Sequence, residues 1–226
     1  MLYSGSLPPG SQEHIRHLLV SVDETPGEVA VAVGLVNNVS LIKHAAEAML
    51  EASNAGDRTG MQTHAEEIVN LIVGKEDTVN YGDLNGDGTI SDPGDGYGLL
   101  VNGDQAGYLE GMMHHASYAA NASGATEEIS MHAGHVEVCT QNLETWAPQL
   151  RDIALRIAHA SQGQDVEADL RKASALAAQM LDGIDIDGNE SIDPIAGEGG
   201  AMTAFEHAEY MSDMVIVPAE NQASSP

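Results

Sequence analysis

The sequence predicts an all-α protein, a helical bundle of about six helices. Hydrophobic residues make up 42% of the 226 residues but aromatic residues only 4%, so aliphatic side chains must fill the interior. An interior of this kind suits closely packed helices. Apolar residues also recur at helical spacing in several segments, and no pair of segments shows the alternation and turn residues of a β-hairpin.

Each helix is predicted from its apolar spacing and from the residues at its ends. Gly74 ends the second helix, Thr126 begins the fourth, and Pro148 is expected to kink that fourth helix. The predicted helices cover residues 27–52, 61–73, 104–122, 126–160, 166–181 and 201–217, with a further short helix possible at 12–20.

The length suits one large domain with a buried core. We expect a flexible leader over residues 1–11, a single all-α domain over residues 12–218 and a tail or linker over residues 219–226. The lone cysteine, Cys139, falls on the apolar face of a predicted helix and is expected to be buried.

The domain is predicted to contain two pseudo-repeats, residues 28–103 and 104–217. In each repeat a helical hairpin leads to an acidic loop and then to an exit helix. One alignment supports this division, because it pairs two histidines of the first hairpin with two of the second, namely His44 with His115 and His64 with His135.

The charge is strongly negative, with 35 acidic against 8 basic side chains and a net charge of −27. This excludes an electrostatic surface for nucleic acid and argues against an anionic membrane partner. No membrane-spanning run is visible. We expect a secreted or cell-surface protein, with a protein partner or a second copy of the chain as the possible partner.

The first acidic loop, residues 83–95 and called loop 1 below, places oxygen-bearing side chains at alternate positions. Such spacing lets a curling chain surround a hard cation, and Gly88 permits the sharp turn. Ile90 is expected to anchor the loop to the core. The candidate ligands are Asp83, Asn85, Asp87, Thr89, Ser91, Asp92 and Asp95.

The second acidic loop, residues 185–198 and called loop 2 below, repeats this spacing. Glu190 replaces the turn glycine, which costs about 1 kcal/mol or more in a left-handed conformation. Ile192 takes the anchoring position. The candidate ligands are Asp185, Asp187, Asn189, Ser191, Asp193 and Glu198.

Both loops resemble the calcium-binding loops of the EF-hand family, including those of dockerins. The resemblance implies two bound Ca²⁺ ions. We expect them in structural rather than sensory roles, because the ten methionines are scattered over several helices and do not indicate a single Met-rich groove. The resemblance covers only the loops. Each loop lacks the glutamate of the family's twelfth position, since Gly94 and Ala196 stand there, so a shifted acid is expected to close each site.

Four histidines, His64, His115, His132 and His135, lie on or beside the apolar faces of their predicted helices. They could converge inside a bundle, where two could ligate haem b, or three with a carboxylate could hold zinc, iron or copper. The alternative is that they lie at the edge of the core and form hydrogen bonds to carboxylates or backbone carbonyls.

No catalytic motif for acyl transfer, phosphate binding or dinucleotide binding appears, so an enzyme is not expected. The leading hypothesis is an extracytoplasmic, calcium-stabilised helical module with a binding or structural role. The alternative hypothesis is a redox or metal-handling bundle built on the four histidines.

Overall fold

The computed structural model describes residues 3–4, 6–213 and 217–218. Over these residues the chain forms seven α-helices, a 3₁₀ turn and one two-residue ladder between Tyr3–Ser4 and Val217–Pro218. The predicted all-α helical bundle is confirmed. The helices are α1 (Pro9–Leu19), α2 (Val31–Asn54), α3 (Arg58–Val73), α4 (Gly107–Asn121), α5 (Glu127–Ala158), α6 (Glu167–Asp182) and α7 (Ala201–Tyr210).

Four of the helices form the centre of the bundle. Helix α2 packs against α3 and α6, and α5 packs against the same two helices, so that the four close into a ring. Helices α4 and α7 pack on α5, while α1 packs mainly on α4. One continuous hydrophobic core of mostly aliphatic side chains joins all seven helices.

Helices α2 and α4 come into close contact at Gly34. A Cβ atom added to Gly34 would lie 2.0 Å from the ring of Tyr108, a fully buried side chain. The Tyr108 hydroxyl donates a 2.5 Å hydrogen bond to Asp95. Burial and this bond raise the pKa of Tyr108. The glycine is therefore what lets the aromatic ring pack against α2.

The first helix begins earlier, and the last helix ends earlier, than the sequence predicts. Helix α1 begins at Pro9, inside the predicted leader, because proline is favoured in a first helical turn and Ser11 is buried with its hydroxyl bonded to Ala119. Helix α7 ends at Tyr210 rather than 217, since Ser212 bonds back to Glu209 in a turn. The predicted tail, 219–226, lies outside the described residues.

In the part of the chain that the structure describes, no helix is long and apolar enough to cross a membrane. Cys139 is buried as predicted, and burial raises the pKa of its thiol to about 12.

Replacing Gly34 by alanine should lower the free energy of unfolding by about 1–3 kcal/mol, because the new methyl group would collide with Tyr108. Gly134→Ala is the matched control, since this helical glycine has open space around it. Its replacement should raise the free energy of unfolding by about 0.5–1 kcal/mol. Urea unfolding measures both. Equal effects at the two positions would contradict the close α2–α4 contact.

Candidate metal-binding sites

Loop 1 is organised by its first aspartate. Asp83 accepts hydrogen bonds from the backbone N–H groups of Gly86, Asp87 and Gly88, at 2.8 to 3.1 Å. Asn85 accepts a further bond from the Asp87 N–H. Gly86 and Gly88 take the positive φ values, 76° and 91°, that this tight curl requires. The side-chain oxygens therefore gather on the inside of the loop.

Loop 2 folds in the same way. Asp185 accepts bonds from the backbone N–H groups of Gly188, Asn189 and Glu190. These bonds, led by the one from Glu190, lower the pKa of Asp185. Glu190 adopts a φ of 69°, so a side chain does occupy the left-handed position where loop 1 has glycine. The predicted likeness of the two loops extends to their backbone hydrogen bonds.

Two buried side chains of α3 fasten loop 1 to the bundle. Glu66 is fully buried and accepts the N–H groups of Leu84, Asn85 and Ser91 at 2.7 to 3.0 Å. Asn70, one helical turn later, donates to the carbonyls of Gly82 and Ser91. Neither residue was predicted from the sequence. Asn70 could have been found, because it is a polar residue within the apolar run at 68–73.

Loop 2 is fastened by a similar pair drawn from different elements. Asn142 of α5 donates to the carbonyls of Ile195 and Gly199. Glu198 is fully buried, and its Oε1 accepts the Asp193 N–H at 2.7 Å. Ser91 and Asp193 hold the same position in their loops, so a glutamate from α3 and a glutamate from the loop itself meet equivalent backbone groups.

The two loops differ in their acidic side chains. Glu198 Oε2 is buried without a hydrogen-bond partner. In loop 2 a carboxylate oxygen of Glu198 lies within 4.8 Å of one from Asp185 and one from Asp187. In loop 1 both predicted closing acids are engaged elsewhere: Asp92 accepts the Tyr81 hydroxyl at 3.0 Å and Asp95 accepts that of Tyr108.

One expectation for loop 1 needs correction. Ile90 is 54% exposed, so it does not anchor the loop to the core. Buried Glu66 and Asn70 do this through the backbone instead. Among the described residues, the acids of loop 1 do not bring three carboxylates within 4.8 Å of one another.

The four predicted histidines do not converge. His64 bonds to Glu67 of its own helix at 2.8 Å and stays apart from the other three. His115 joins one histidine cluster, and His132 and His135 join another. Each of the four side chains is partly buried near the core. The apolar spacing along one helix does not show which helices are its neighbours.

Cluster A consists of His14, His17 and His115, from α1 and α4. One ring nitrogen of each lies within 4.8 Å of the others, and the Nδ1 atoms of His14 and His115 are 3.3 Å apart. Burial lowers the pKa of His14, and burial with the neighbouring histidines lowers that of His115 to about 4. His17 Nδ1 is buried without a partner.

Cluster B consists of His132, His135 and His207, from α5 and α7, again within 4.8 Å. The Nδ1 atoms of His132 and His207 are 2.9 Å apart, and His135 Nδ1 is buried without a partner. Burial lowers the pKa of His132, and burial with the other two histidines lowers that of His207 to about 4.

Sequence reasoning missed His14, His17 and His207. His207 lies in no such pair, but the signal that could have found His14 and His17 is the repeated His-x-x-His spacing, since such a pair puts two imidazoles one turn apart on one helix face. That spacing occurs at His14 and His17 and again at His132 and His135.

Comparison of the chain with protein-family models, with curated proteins and with solved structures gives no match.

Glu66→Gln should lower the free energy of unfolding by about 1–3 kcal/mol, because an amide cannot accept all three backbone N–H groups that the carboxylate accepts. The loss should be equal in EDTA and in calcium. Thermal melts measure it, with Glu51→Gln on the exposed face of α2 as the control. A loss seen only with calcium present would instead make Glu66 a metal ligand.

Proposed function

We propose that this protein is an extracytoplasmic, calcium-stabilised helical module with a binding or structural role. The observation that carries the proposal is the buried, unpartnered oxygen of Glu198 beside Asp185 and Asp187.

A cation at loop 2 resolves an otherwise unfavourable arrangement. A buried carboxylate oxygen without a partner is costly, and nearby carboxylates add repulsion. Ca²⁺ binds oxygen ligands at about 2.3–2.6 Å, so oxygens on opposite sides of the ion lie about 5 Å apart. The observed spacing within 4.8 Å suits this. Asp193, Asn189 and Ser191 supply further oxygens in the same loop.

Loop 1 is proposed to bind calcium through Asp83, Asn85 and Asp87, with the Thr89 carbonyl and Ser91. Its support is the backbone curl that it shares with loop 2. Because Glu66 already satisfies its inner backbone groups, loop 1 can keep its shape without the ion. We therefore expect weaker calcium binding at loop 1 than at loop 2.

The ions are assigned structural roles because each loop joins two helices of the bundle, α3 to α4 and α6 to α7. Largely exposed loops of this kind suit the millimolar calcium found outside cells. The net charge of −27 suits the same setting. A protein partner or a second copy of the chain on a surface belongs to this proposal.

Calorimetric titration of the calcium-free chain should show two Ca²⁺ equivalents. Glu198→Gln and Asp185→Asn should each remove the tighter one, because each takes a charged oxygen from the loop 2 site. Glu190→Gln is the matched control: it removes the same charge from the same loop at an exposed position and should keep both equivalents. Unchanged binding by Glu198→Gln would refute the loop 2 assignment.

Calcium removal should lower thermal stability. A ligand at about a hundred times its Kd stabilises the folded state by about 2.7 kcal/mol, so EDTA should shift the melting temperature down by several degrees. Differential scanning calorimetry with and without EDTA, at constant ionic strength, measures the shift. A melt that does not move would contradict the structural role of the ions.

A further inference from the structure

The two histidine clusters are built on one plan. In each, a His-x-x-His pair on one helix meets a single histidine on the helix that follows an acidic loop. That single histidine is followed three residues later by a tyrosine, Tyr118 after His115 and Tyr210 after His207. Both tyrosine rings lie beside their cluster, 5.1 Å from His14 and 5.2 Å from His132 between ring centroids.

Hydrogen bonding within the protein does not explain either cluster. His17 Nδ1 and His135 Nδ1, the equivalent atoms of the two pairs, are both buried without a partner. In each cluster the other two histidines bring Nδ1 atoms face to face. Such a contact is favourable only if one nitrogen carries a proton and the other does not, whereas a metal ion accepts a lone pair from every ring.

We propose that clusters A and B each bind one divalent transition-metal ion of the Zn²⁺ class through three imidazoles. Neutral imidazole nitrogen is a preferred ligand of zinc, copper and nickel, and a poor one for calcium. In each cluster one nitrogen from each of the three rings lies within 4.8 Å of the others. Small rotations of the rings would bring all three to about 2.0–2.1 Å from a shared zinc ion.

A single ion fits these clusters better than haem b does. Haem needs two imidazoles on opposite sides of a flat ring. In both clusters three imidazoles are crowded together, with centroids as close as 4.8 Å in cluster A and 4.5 Å in cluster B. No room for a porphyrin lies between rings at that spacing.

Cluster A has space for a fourth ligand. His115 and Tyr118 line a cavity of about 220 Å³, together with Glu24 and Tyr97. A water molecule or a small anion can reach the metal from this side, which would complete a tetrahedral site with one exchangeable position.

One contact in cluster A must change when the ion binds. Arg16 donates a 2.9 Å hydrogen bond to His17 Nε2, which puts the imidazole proton on Nδ1. A metal at Nδ1 needs that proton on Nε2. Arg16 is exposed and also bonds to Ser21, so its contact with His17 exchanges for water at little cost. Among the described residues no arginine bonds to His135, and we therefore expect cluster B to bind the ion more tightly.

The full-length chain, freed of metal and returned to excess Ca²⁺, tests the proposal by calorimetric titration with Zn²⁺. Two equivalents are expected. His14→Gln with His17→Gln should remove one, and His132→Gln with His135→Gln should remove the other. Excess Ca²⁺ keeps the loop carboxylates from contributing, so failure of the calcium proposal and failure of this one give different results.

The double variant His44→Gln with His64→Gln is the matched control, because it removes two histidines outside the clusters and should keep both equivalents. A second measurement needs no variant: the Cu²⁺-loaded chain should show hyperfine splitting from several imidazole nitrogens in its electron paramagnetic resonance spectrum. Absence of Zn²⁺ binding, binding kept in both cluster variants, or a copper spectrum with oxygen ligands alone would overturn the proposal.

Discussion

The burial of Glu66 and Glu198 is the constraint on which both loops depend. Each carboxylate lies inside the bundle, where it must meet donors or a cation, because an unsatisfied buried charge is very costly. Backbone N–H groups of the loops supply donors, and Asn70 and Asn142 add the reverse bonds from amide to loop carbonyl. Two long acidic segments are thereby held against an aliphatic core with which they share little apolar surface.

The two buried glutamates differ in how fully their carboxylate oxygens are hydrogen-bonded. Glu66 accepts three N–H groups and needs nothing more. Glu198 accepts one and leaves its second oxygen beside two aspartates. Loop 1 is therefore closed by the protein itself, whereas loop 2 is completed by a cation in the proposed function. The difference follows from where each glutamate lies in the chain. A glutamate on a neighbouring helix reaches the backbone of the loop, whereas a glutamate within the loop reaches the side chains inside that loop.

The histidine clusters form on the helices that follow the loops. Helix α7, which carries His207, begins at Ala201 just after loop 2, and α4, which carries His115, begins at Gly107, with residues 96–106 between it and loop 1. Each then meets a His-x-x-His pair from another part of the chain. In the proposed arrangement, each of these helices follows a loop that supplies oxygen ligands for calcium, and the helix itself supplies one nitrogen ligand for zinc. The two kinds of ion would then act on the same exit helices without competing for ligands, because calcium and zinc prefer different donor atoms.

The sequence by itself determined the helices and the curl of both loops, because these depend on spacing over a few residues. Apolar periodicity located every long helix, and alternate oxygens with glycine or a strained residue located each turn. Only the tertiary structure decided which distant side chains meet. The predicted convergence of His64, His115, His132 and His135 gave way to two separate clusters, with His135 beside His207, and Glu66 became the anchor of loop 1 in place of Ile90. Such contacts depend on which helices pack together, and periodicity along one helix carries no information about its neighbour.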